Sequence, residues 1–456
     1  MPETYELLAV GGGPAGLAAA RAYRDAGGGG AVAIVADEQR MPYRRPPLTK
    51  ELLRGETEEW TLPIEDESWL AEHDVGLVGG RAVRLDPHGR EVLLSGGRAL
   101  RYRHCVLATG AEPVRLPVLG ADDPAVRVLR TLDHLRELEA RLRPGDPVVV
   151  IGSGFIGCEI AASLRMRGHP VSLVSDEPAP NARRLGGAAA AMIAGWLREL
   201  GVALALGEPV ERIERDRERP AGRGRAAGAD RPAGRDRPAG RDRPAAPDRP
   251  SAPDRAAAPD RPSAPADGSS DHDQLADRAV LSVHAGSHEY RAPLVVMAAG
   301  VAPRGELAAA CGLALHDGAI PVDAAMRTAV DGLLAAGDVA YAHNPTAGRP
   351  LRVEHWGDAL AQGAVAGRTA AGADAVWDAV PGFWSTIGTR TLKYAAWGDG
   401  FAEVSVEDGG GGFAVWYGRE GRVVGVLAHE RDDAYERGSE LIAAGARWPL
   451  APRQPM

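Results

Sequence analysis

Two glycine-rich turns of the pattern G-x-G-x-x-G, each between an apolar run and a helical stretch, constrain the fold of this chain most strongly. The first turn follows the strand-like run 5–10, and the next apolar run, 32–36, leads into Asp37. Its residues are Gly11, Gly12, Gly13, Pro14, Ala15 and Gly16. Such glycines allow a backbone to approach a pyrophosphate, and such an aspartate accepts hydrogen bonds from a ribose. A single copy of the pattern is also compatible with an ordinary glycine turn.

A second copy of the pattern, in the same context, makes coincidence a poor explanation. The apolar run 148–151 leads into Gly152, Ser153, Gly154, Phe155, Ile156 and Gly157. The following strand ends at Ser175, and Asp176 and Glu177 come next. Acidic residues there accept from the 2′-hydroxyl of NADH and repel the 2′-phosphate of NADPH. Ser175, Arg183 and Arg184 suit that phosphate instead, so the sequence favours NADH and leaves NADPH open.

The order of apolar and helical stretches predicts an α/β protein. A β-α-β rhythm surrounds each glycine-rich turn, and 456 residues suggest about three domains at the usual domain size. From residue 377 onward, aromatic side chains concentrate in alternating runs such as 412–417. Alternation of this kind is typical of strands, so we expect a small β-rich third domain.

Composition excludes several classes of protein. A net charge of -9 argues against a dedicated nucleic-acid binder. No apolar run reaches the roughly 18 residues of a membrane helix, and no export signal is recognisable, so we expect a soluble cytoplasmic protein. The three cysteines, Cys105, Cys158 and Cys311, are far apart and form no CxxC pair. Neither a disulfide scaffold nor a metal site is predicted.

One segment differs from the rest of the chain. A six-residue repeat of the DRPAGR and DRPSAP type runs from Asp230 to Pro265, with almost no large apolar side chain. Such a segment cannot offset its ordering entropy by burial, so we interpret about 216–274 as a disordered insertion. It is either a tolerated expansion of a surface loop or a tether for a partner.

Five further motifs resemble those of the FAD-dependent pyridine-nucleotide oxidoreductases, in the branch of ferredoxin reductases and apoptosis-inducing-factor-like proteins. They are PYRRPPLTK at 42–50, LATG at 107–110, the segment 328–338 ending in Gly-Asp, EHW at 354–356 and VPGFWS at 380–385. The resemblance covers the chain apart from the repeat. It departs from the branch at Thr49, where serine is usual, and at Gly382, where an aromatic residue is usual.

The resemblance implies an α/β fold with two Rossmann-like, three-layer domains of the glutathione-reductase type and a small C-terminal α+β domain. The FAD-binding domain would span 1–118 and 302–374, the NAD(P)H-binding domain 119–301, and the C-terminal domain 375–456. FAD would occupy the first glycine-rich turn and NADH the second. The resemblance also allows a homodimer.

The resemblance further implies two sets of binding residues. Besides the first turn, FAD would contact Asp37, Arg45, Lys50, Ala82, Thr109, Gly110, Asp338, Glu354, His355 and Trp356. Besides the second turn, NADH would contact Glu159, Asp176, Glu177 and Gly300. Asp338 would accept from the ribityl chain, and 354–356 would lie beside the isoalloxazine.

Lys50 stands out even without the resemblance. Only two of the 53 basic residues are lysines, Lys50 and Lys393. An ammonium is compact where a guanidinium is a wide planar fork, so a lysine here suggests a tight site, although it is also compatible with an ordinary surface position. In the family, the matching lysine pairs with a glutamate, here Glu159, next to flavin N5. That glutamate could otherwise be an exposed helix residue.

Three side chains near the implied cofactors have two interpretations each. Phe155 is either an aromatic lid that nicotinamide displaces or a core phenylalanine. Trp356 serves either electron exit or packing, and His355 is either a titrating base or a hydrogen-bonded structural histidine. The implied catalytic set is therefore Lys50, Glu159, Phe155 and Trp356.

The cysteine pattern bears on the route of electrons. No redox CxxC is present, and no cysteine precedes Cys105. Electrons should therefore leave the flavin directly, which suits a one-electron carrier. We expect an NADH-dependent flavoprotein reductase that serves a ferredoxin-like iron-sulfur protein of an oxygenase or P450 system. The alternatives are an NADH oxidase, a quinone or small-acceptor reductase, and a redox sensor similar to apoptosis-inducing factor.

Overall fold

The computed structural model describes residues 3–215, 280–409 and 411–449. The predicted insertion at 216–274 lies outside the described residues. The strands are β1 (Glu3–Val10), β2 (Val32–Ala36), β3 (Val75–Gly79), β4 (Ala82–Asp86), β5 (Glu91–Leu94), β6 (Ala99–Leu107), β7 (Ala111–Pro113), β8 (Val126–Arg127), β9 (Val148–Ile151), β10 (Val171–Ser175), β11 (Ala203–Leu206), β12 (Val210–Arg215), β13 (Leu281–Ala285), β14 (His288–Ala292), β15 (Leu294–Met297), β16 (Val301–Pro303), β17 (Ile320–Val322), β18 (Leu333–Ala335), β19 (Ala340–Asn344), β20 (Arg349–Arg352), β21 (Gly382–Ile387), β22 (Arg390–Ala396), β23 (Glu403–Gly409), β24 (Gly412–Arg419) and β25 (Arg422–His429). The helices are α1 (Pro14–Asp25), α2 (Glu51–Arg54), α3 (Glu67–Glu72), α4 (Leu132–Glu139), α5 (Phe155–Met166), α6 (Ala182–Glu199), α7 (Glu306–Ala310), α8 (Trp356–Ala370) and α9 (Asp432–Ala443).

The first sheet has the order β3-β2-β1-β6-β5-β4, and β18 adds to β6. Its central strands are parallel, and β2 and the C-terminal ends of β1 and β6 are buried, as a sheet covered on both faces requires. Helix α8 packs against α1, and a Cβ on Gly363 would come within 2.2 Å of the Ala15 carbonyl oxygen. Glycine is therefore needed for this close approach, which joins the segment after residue 300 to the first sheet.

The second sheet is parallel, with the order β11-β10-β9-β15-β8. Its central strand β9 consists of four buried aliphatic residues and leads directly into the second glycine-rich turn. An antiparallel sheet of order β12-β13-β14 accompanies it, and Arg215 is the register partner of Leu281. The two ends of the described chain at this point are therefore neighbours across one ladder.

The C-terminal part is an antiparallel sheet of order β21-β22-β25-β24-β23, with α9 packed against it. Trp416 and Tyr417 are adjacent in β24 and both buried, so this strand is covered on both of its faces. Trp377, which the sequence groups with this part, instead lies in the core of the first sheet. In the described parts of the chain, no helix is both long and apolar enough to cross a bilayer.

Candidate active site

One large cleft of about 1970 Å³ contains both glycine-rich turns. Sites for drug-sized ligands usually measure about 300–1,000 Å³, so this volume suits two dinucleotides rather than one small molecule. All the predicted site residues line the cleft except Gly16 and Gly157. Those two glycines instead pack against the backbone of their own turns.

The first turn combines three tightly packed glycines, Gly11, Gly12 and Gly16, with one that borders open space. A Cβ on Gly11 would lie 2.0 Å from the Ala108 oxygen, and one on Gly16 would lie 2.1 Å from the Gly11 oxygen. Beside Gly13, by contrast, no atom lies within 4 Å of a Cβ position. Helix α1 begins immediately afterwards with Pro14, so its free N–H groups point at that space. An anionic group such as a pyrophosphate fits there.

The second turn repeats this construction. A Cβ on Gly152 would lie 2.4 Å from the Ala298 oxygen, and one on Gly157 would lie 2.0 Å from the Gly152 oxygen. Gly154 again borders open space at the start of α5. Gly300 has φ +102° and likewise leaves the cleft clear. The same backbone geometry therefore offers a second anion site across the cleft.

Two acidic residues follow β2 at the mouth of the first turn. Asp37, the one predicted from sequence, is exposed, and one of its oxygens lies 3.7 Å from Arg304. Glu38 accepts hydrogen bonds of 2.6 Å from the Tyr43 hydroxyl and from Arg45. Glu38 was missed from the sequence because only Asp37 directly follows the strand.

The rim of the second turn carries the residues that bear on coenzyme choice. Ser175 is buried, and its hydroxyl accepts from Ser153 at 2.8 Å and from the Glu177 backbone N–H at 3.2 Å. Arg183 donates to Asp176 at 2.7 Å. Of the groups that could hold a 2′-phosphate, Arg183 is therefore already paired within the protein.

Lys50 and Glu159 form a buried ion pair in the cleft, as the resemblance implies. Lys50 Nζ lies 2.8 Å from Glu159 Oε2, and the two residues are 5% and 4% exposed. The alternatives of a surface lysine and an exposed glutamate are therefore wrong. A short 3₁₀ turn, Pro46–Thr49, brings Lys50 to the site, and the first turns of α5 present Glu159.

Three further groups, which the sequence did not reveal, donate to Glu159. Thr49 Oγ1 donates to Oε2 at 2.5 Å, while Ser385 Oγ and the Thr386 N–H donate to Oε1 at 2.7 and 3.3 Å. The hydroxyl at position 49, where the family usually has serine, is thus in use. Ser385 lies within the VPGFWS motif, which was the one available signal.

Aromatic side chains line the same cleft as this pair. The Phe155 ring meets the Phe383 ring edge to face, with centroids 4.8 Å apart, and Phe383 lies 4.5 Å from His355. His355 Nδ1 lies 3.1 Å from Asp358 Oδ2, so this histidine is hydrogen-bonded. Trp356 begins α8 at the edge of the cleft. Phe155 is only partly buried, so its ring both packs against Phe383 and borders the open cleft.

The remaining predicted FAD residues lie on the side of the first turn. Asp338 accepts from Arg130 at 2.5 Å, and Thr109 Oγ1 donates to the Arg304 carbonyl at 2.7 Å. Burial raises the pKa of the Glu354 carboxyl, and the neighbouring Arg352 opposes that shift. Ala82 and Gly110 line the same wall. Arg130 was missed from the sequence because it lies in no quoted motif.

Taken with the two parallel sheets, this site defines a class: a dinucleotide-binding oxidoreductase with two nucleotide sites facing one buried ion pair. The sequence model of the family "Pyridine nucleotide-disulphide oxidoreductase" matches residues 5–230 and 268–363, which is more than half of the chain. The chain belongs to this family.

Individual relatives are similar to this protein along nearly the whole chain. Rhodocoxin reductase of Rhodococcus erythropolis is 28% identical over 98% of this chain and 91% of its own length. The ferredoxin reductase for the CYP199A2 system from Rhodopseudomonas palustris is 27% identical, with a TM-score of 0.79 over 98% of this chain and 95% of that one. A covalent putidaredoxin reductase–putidaredoxin complex gives 25% identity and a TM-score of 0.78, over 97% and 93% of the two chains.

These similarities confirm the predicted family branch, the α/β fold class and an NAD(P)H-dependent, FAD-containing oxidoreductase. The two anion sites and the volume of the cleft fit both cofactors.

Proposed function

We propose that this chain transfers reducing equivalents from NADH, through FAD, to a ferredoxin-like iron-sulfur protein of an oxygenase or P450 system. The buried Lys50–Glu159 pair, in the cleft that both glycine-rich turns line, is the observation that carries the proposal. Bound FAD would accept hydride from NADH and release electrons singly, which is the chemistry of the cofactor itself. Relatives named for rhodocoxin, for a P450 system and for putidaredoxin support an iron-sulfur acceptor.

We assign the FAD site to the side of the first turn. There Gly13 and the start of α1 hold the pyrophosphate, and Asp37 or Glu38 receives the ribose hydroxyls. As the family resemblance implies, Asp338 holds the ribityl chain and the segment 354–356 lies beside the isoalloxazine. The domain boundaries at 118, 301 and 374 belong to the same proposal.

We assign NADH to the side of the second turn, with Gly154 and the start of α5 at the pyrophosphate. Asp176 and Glu177 at the rim favour a free 2′-hydroxyl. Arg183 already pairs with Asp176, which supports NADH over NADPH. Phe155 lines the same cleft, and the family resemblance assigns it the role of an aromatic lid that moves aside for the nicotinamide ring.

The protein's own contribution is geometric and electrostatic. Lys50 places a fixed positive charge in a dry part of the cleft, where charge interactions are stronger than in water. Glu159 orients that ammonium and keeps the site neutral. Among the described residues that line the cleft, none is a cysteine, which supports direct electron exit without a thiol relay. The free cysteines suit a reducing cytoplasm.

One kinetic experiment separates the proposal from its alternatives. The FAD-loaded protein is mixed with NADH and cytochrome c, with and without a bacterial [2Fe–2S] ferredoxin. We expect rapid cytochrome c reduction only when ferredoxin is present. Rapid oxygen consumption without the carrier would instead identify an oxidase. A long-lived reduced complex that changes oligomeric state would identify a redox sensor.

A further inference from the structure

The two carboxylate oxygens of Glu159 are held by different parts of the chain. Oε2 accepts hydrogen bonds from Lys50 and Thr49, which lie in the segment after β2. Oε1 receives the Ser385 hydroxyl and the Thr386 N–H, both from β21 of the C-terminal sheet. Glu159 itself lies on α5, beside the second sheet. Three distant segments therefore meet at one buried carboxylate.

This division matters because a buried carboxylate needs its acceptor positions filled. An ionised carboxylate offers about four such positions, and four donors are present here. Leaving a buried charge short of partners is costly, and donors to charged groups form the stronger class of hydrogen bond. On Oε1 the Ser385 bond is the short one, at 2.7 Å against 3.3 Å for the backbone N–H.

The environment of Ser385 points to a dedicated donor. Ser385 is 1% exposed, and its hydroxyl donates to Glu159 Oε1. The hydroxyl of the next residue, Thr386, turns to Thr391 at 3.0 Å instead. Successive side chains of a strand point to opposite faces. Among the described residues of β21, Ser385 is therefore the one whose side chain donates to the ion pair.

We propose that Ser385 is a positioning residue that holds Glu159 so that Oε2 faces Lys50, and that the C-terminal sheet thereby completes the hydride-transfer site. This inference rests on the proposed function. Without the Ser385 hydroxyl, the carboxylate can rotate toward other donors, and the ammonium loses its fixed direction. Thr49 has the matching role on the other oxygen.

The test compares three variants, each purified with FAD. Ser385→Ala removes the donor, and Ser385→Cys replaces it with a weak donor of similar shape. Thr391→Val is the matched control, because it removes a partly buried hydroxyl of the neighbouring strand that pairs with the Thr386 hydroxyl and not with Glu159. Stopped-flow bleaching over a range of NADH concentrations gives the limiting rate and the Kd, and a redox titration gives the midpoint potential of FAD.

We expect Ser385→Ala to lower the limiting rate about tenfold, with the Kd for NADH within about twofold of the parent. The midpoint potential should move, because the charge next to the cofactor is held differently. Ser385→Cys should lie between Ser385→Ala and the parent, and Thr391→Val should match the parent. A purely structural role would change FAD retention or thermal stability without changing the rate or the potential.

The inference is overturned if Ser385→Ala and Ser385→Cys match Thr391→Val in both rate and potential. If Ser385→Ala does not retain FAD, Ser385→Cys decides the question by the same readouts. Failure of the proposed function is a separate result, since the parent protein itself would then not bleach with NADH.

Discussion

Lys50 and Glu159, 109 residues apart in the chain, form an ion pair of 2.8 Å that is almost completely shielded from solvent. Burying two charges has a desolvation cost that their attraction does not always offset. Such a pair is therefore weak evidence for stability. Its place in the cleft that both glycine-rich turns line makes a role in the reaction the better explanation.

Replacing Lys50 with arginine tests the need for a compact cation. A guanidinium does not fit the site without displacing the contacts to Glu159 and to the Pro46 carbonyl. Loss of one hydrogen bond to a charged group corresponds to about a ten- to hundredfold slower step. We expect Lys50→Arg to slow FAD bleaching by that factor and to retain FAD, as measured by stopped-flow absorbance and by cofactor content.

The second lysine offers the matched control. Lys393 lies in the C-terminal sheet, partly exposed, and pairs with Asp432 at 2.7 Å. Lys393→Arg keeps a surface ion pair of small energetic value, so its rate should equal that of the parent. Equal rates for Lys50→Arg and the parent would remove Lys50 from the mechanism.

Replacing Asp176 with alanine tests coenzyme choice. The change removes a repulsive charge and releases Arg183 to meet a 2′-phosphate. We expect the ratio of kcat/KM for NADPH to that for NADH to rise about tenfold, equivalent to about 1.4 kcal/mol. Glu199→Ala, which removes another exposed acid that pairs with an arginine, should leave the ratio unchanged. An unchanged ratio in Asp176→Ala would show that Asp176 does not discriminate between NADH and NADPH.

Removing the repeat tests whether it takes part in the reaction. Because Arg215 and Leu281 are partners in one antiparallel ladder, an Asn-Gly turn can replace residues 216–280. We expect FAD content and NADH-driven bleaching within about twofold of the parent, since loop length has a small effect on stability. A flexible Gly/Ser segment of the original length is the control. A large loss of FAD in the shortened protein alone would contradict the interpretation of the repeat as a tolerated insertion.

Thiol modification tests direct electron exit. Burial raises the pKa of all three thiols, but Cys105 and Cys158 are buried whereas Cys311 is partly exposed and can be reached by a reagent. We expect N-ethylmaleimide at neutral pH to label Cys311 and to leave electron transfer to ferredoxin unchanged. Mass spectrometry identifies the labelled site. Loss of activity in step with labelling would indicate a thiol in the pathway.

The sequence predicted the parts of the site that depend on local pattern. In both turns, glycine is required by close contacts with residues of the same turn or with the end of one neighbouring strand. The spacing of the glycines alone is therefore enough to predict the turns. Lys50 was identifiable because this chain otherwise uses arginine at basic positions. Glu159 came from the family resemblance and not from any local signal.

The missed residues depend on contacts across the fold. Ser385 is 226 residues from Glu159, and Thr49 is 110 residues from it, so no periodicity connects them. Gly382 is explained only by the structure, because a Cβ there would lie 2.5 Å from the Tyr435 hydroxyl. The tyrosine occupies the space that an aromatic side chain at 382 would need.

The most direct test of the central claim is an anaerobic titration of the purified, FAD-loaded protein with NADH. The account predicts that one equivalent of NADH bleaches the visible absorbance of FAD, and that added ferredoxin then restores it while becoming reduced. A protein that binds no FAD, or one whose colour persists with excess NADH, would contradict the account.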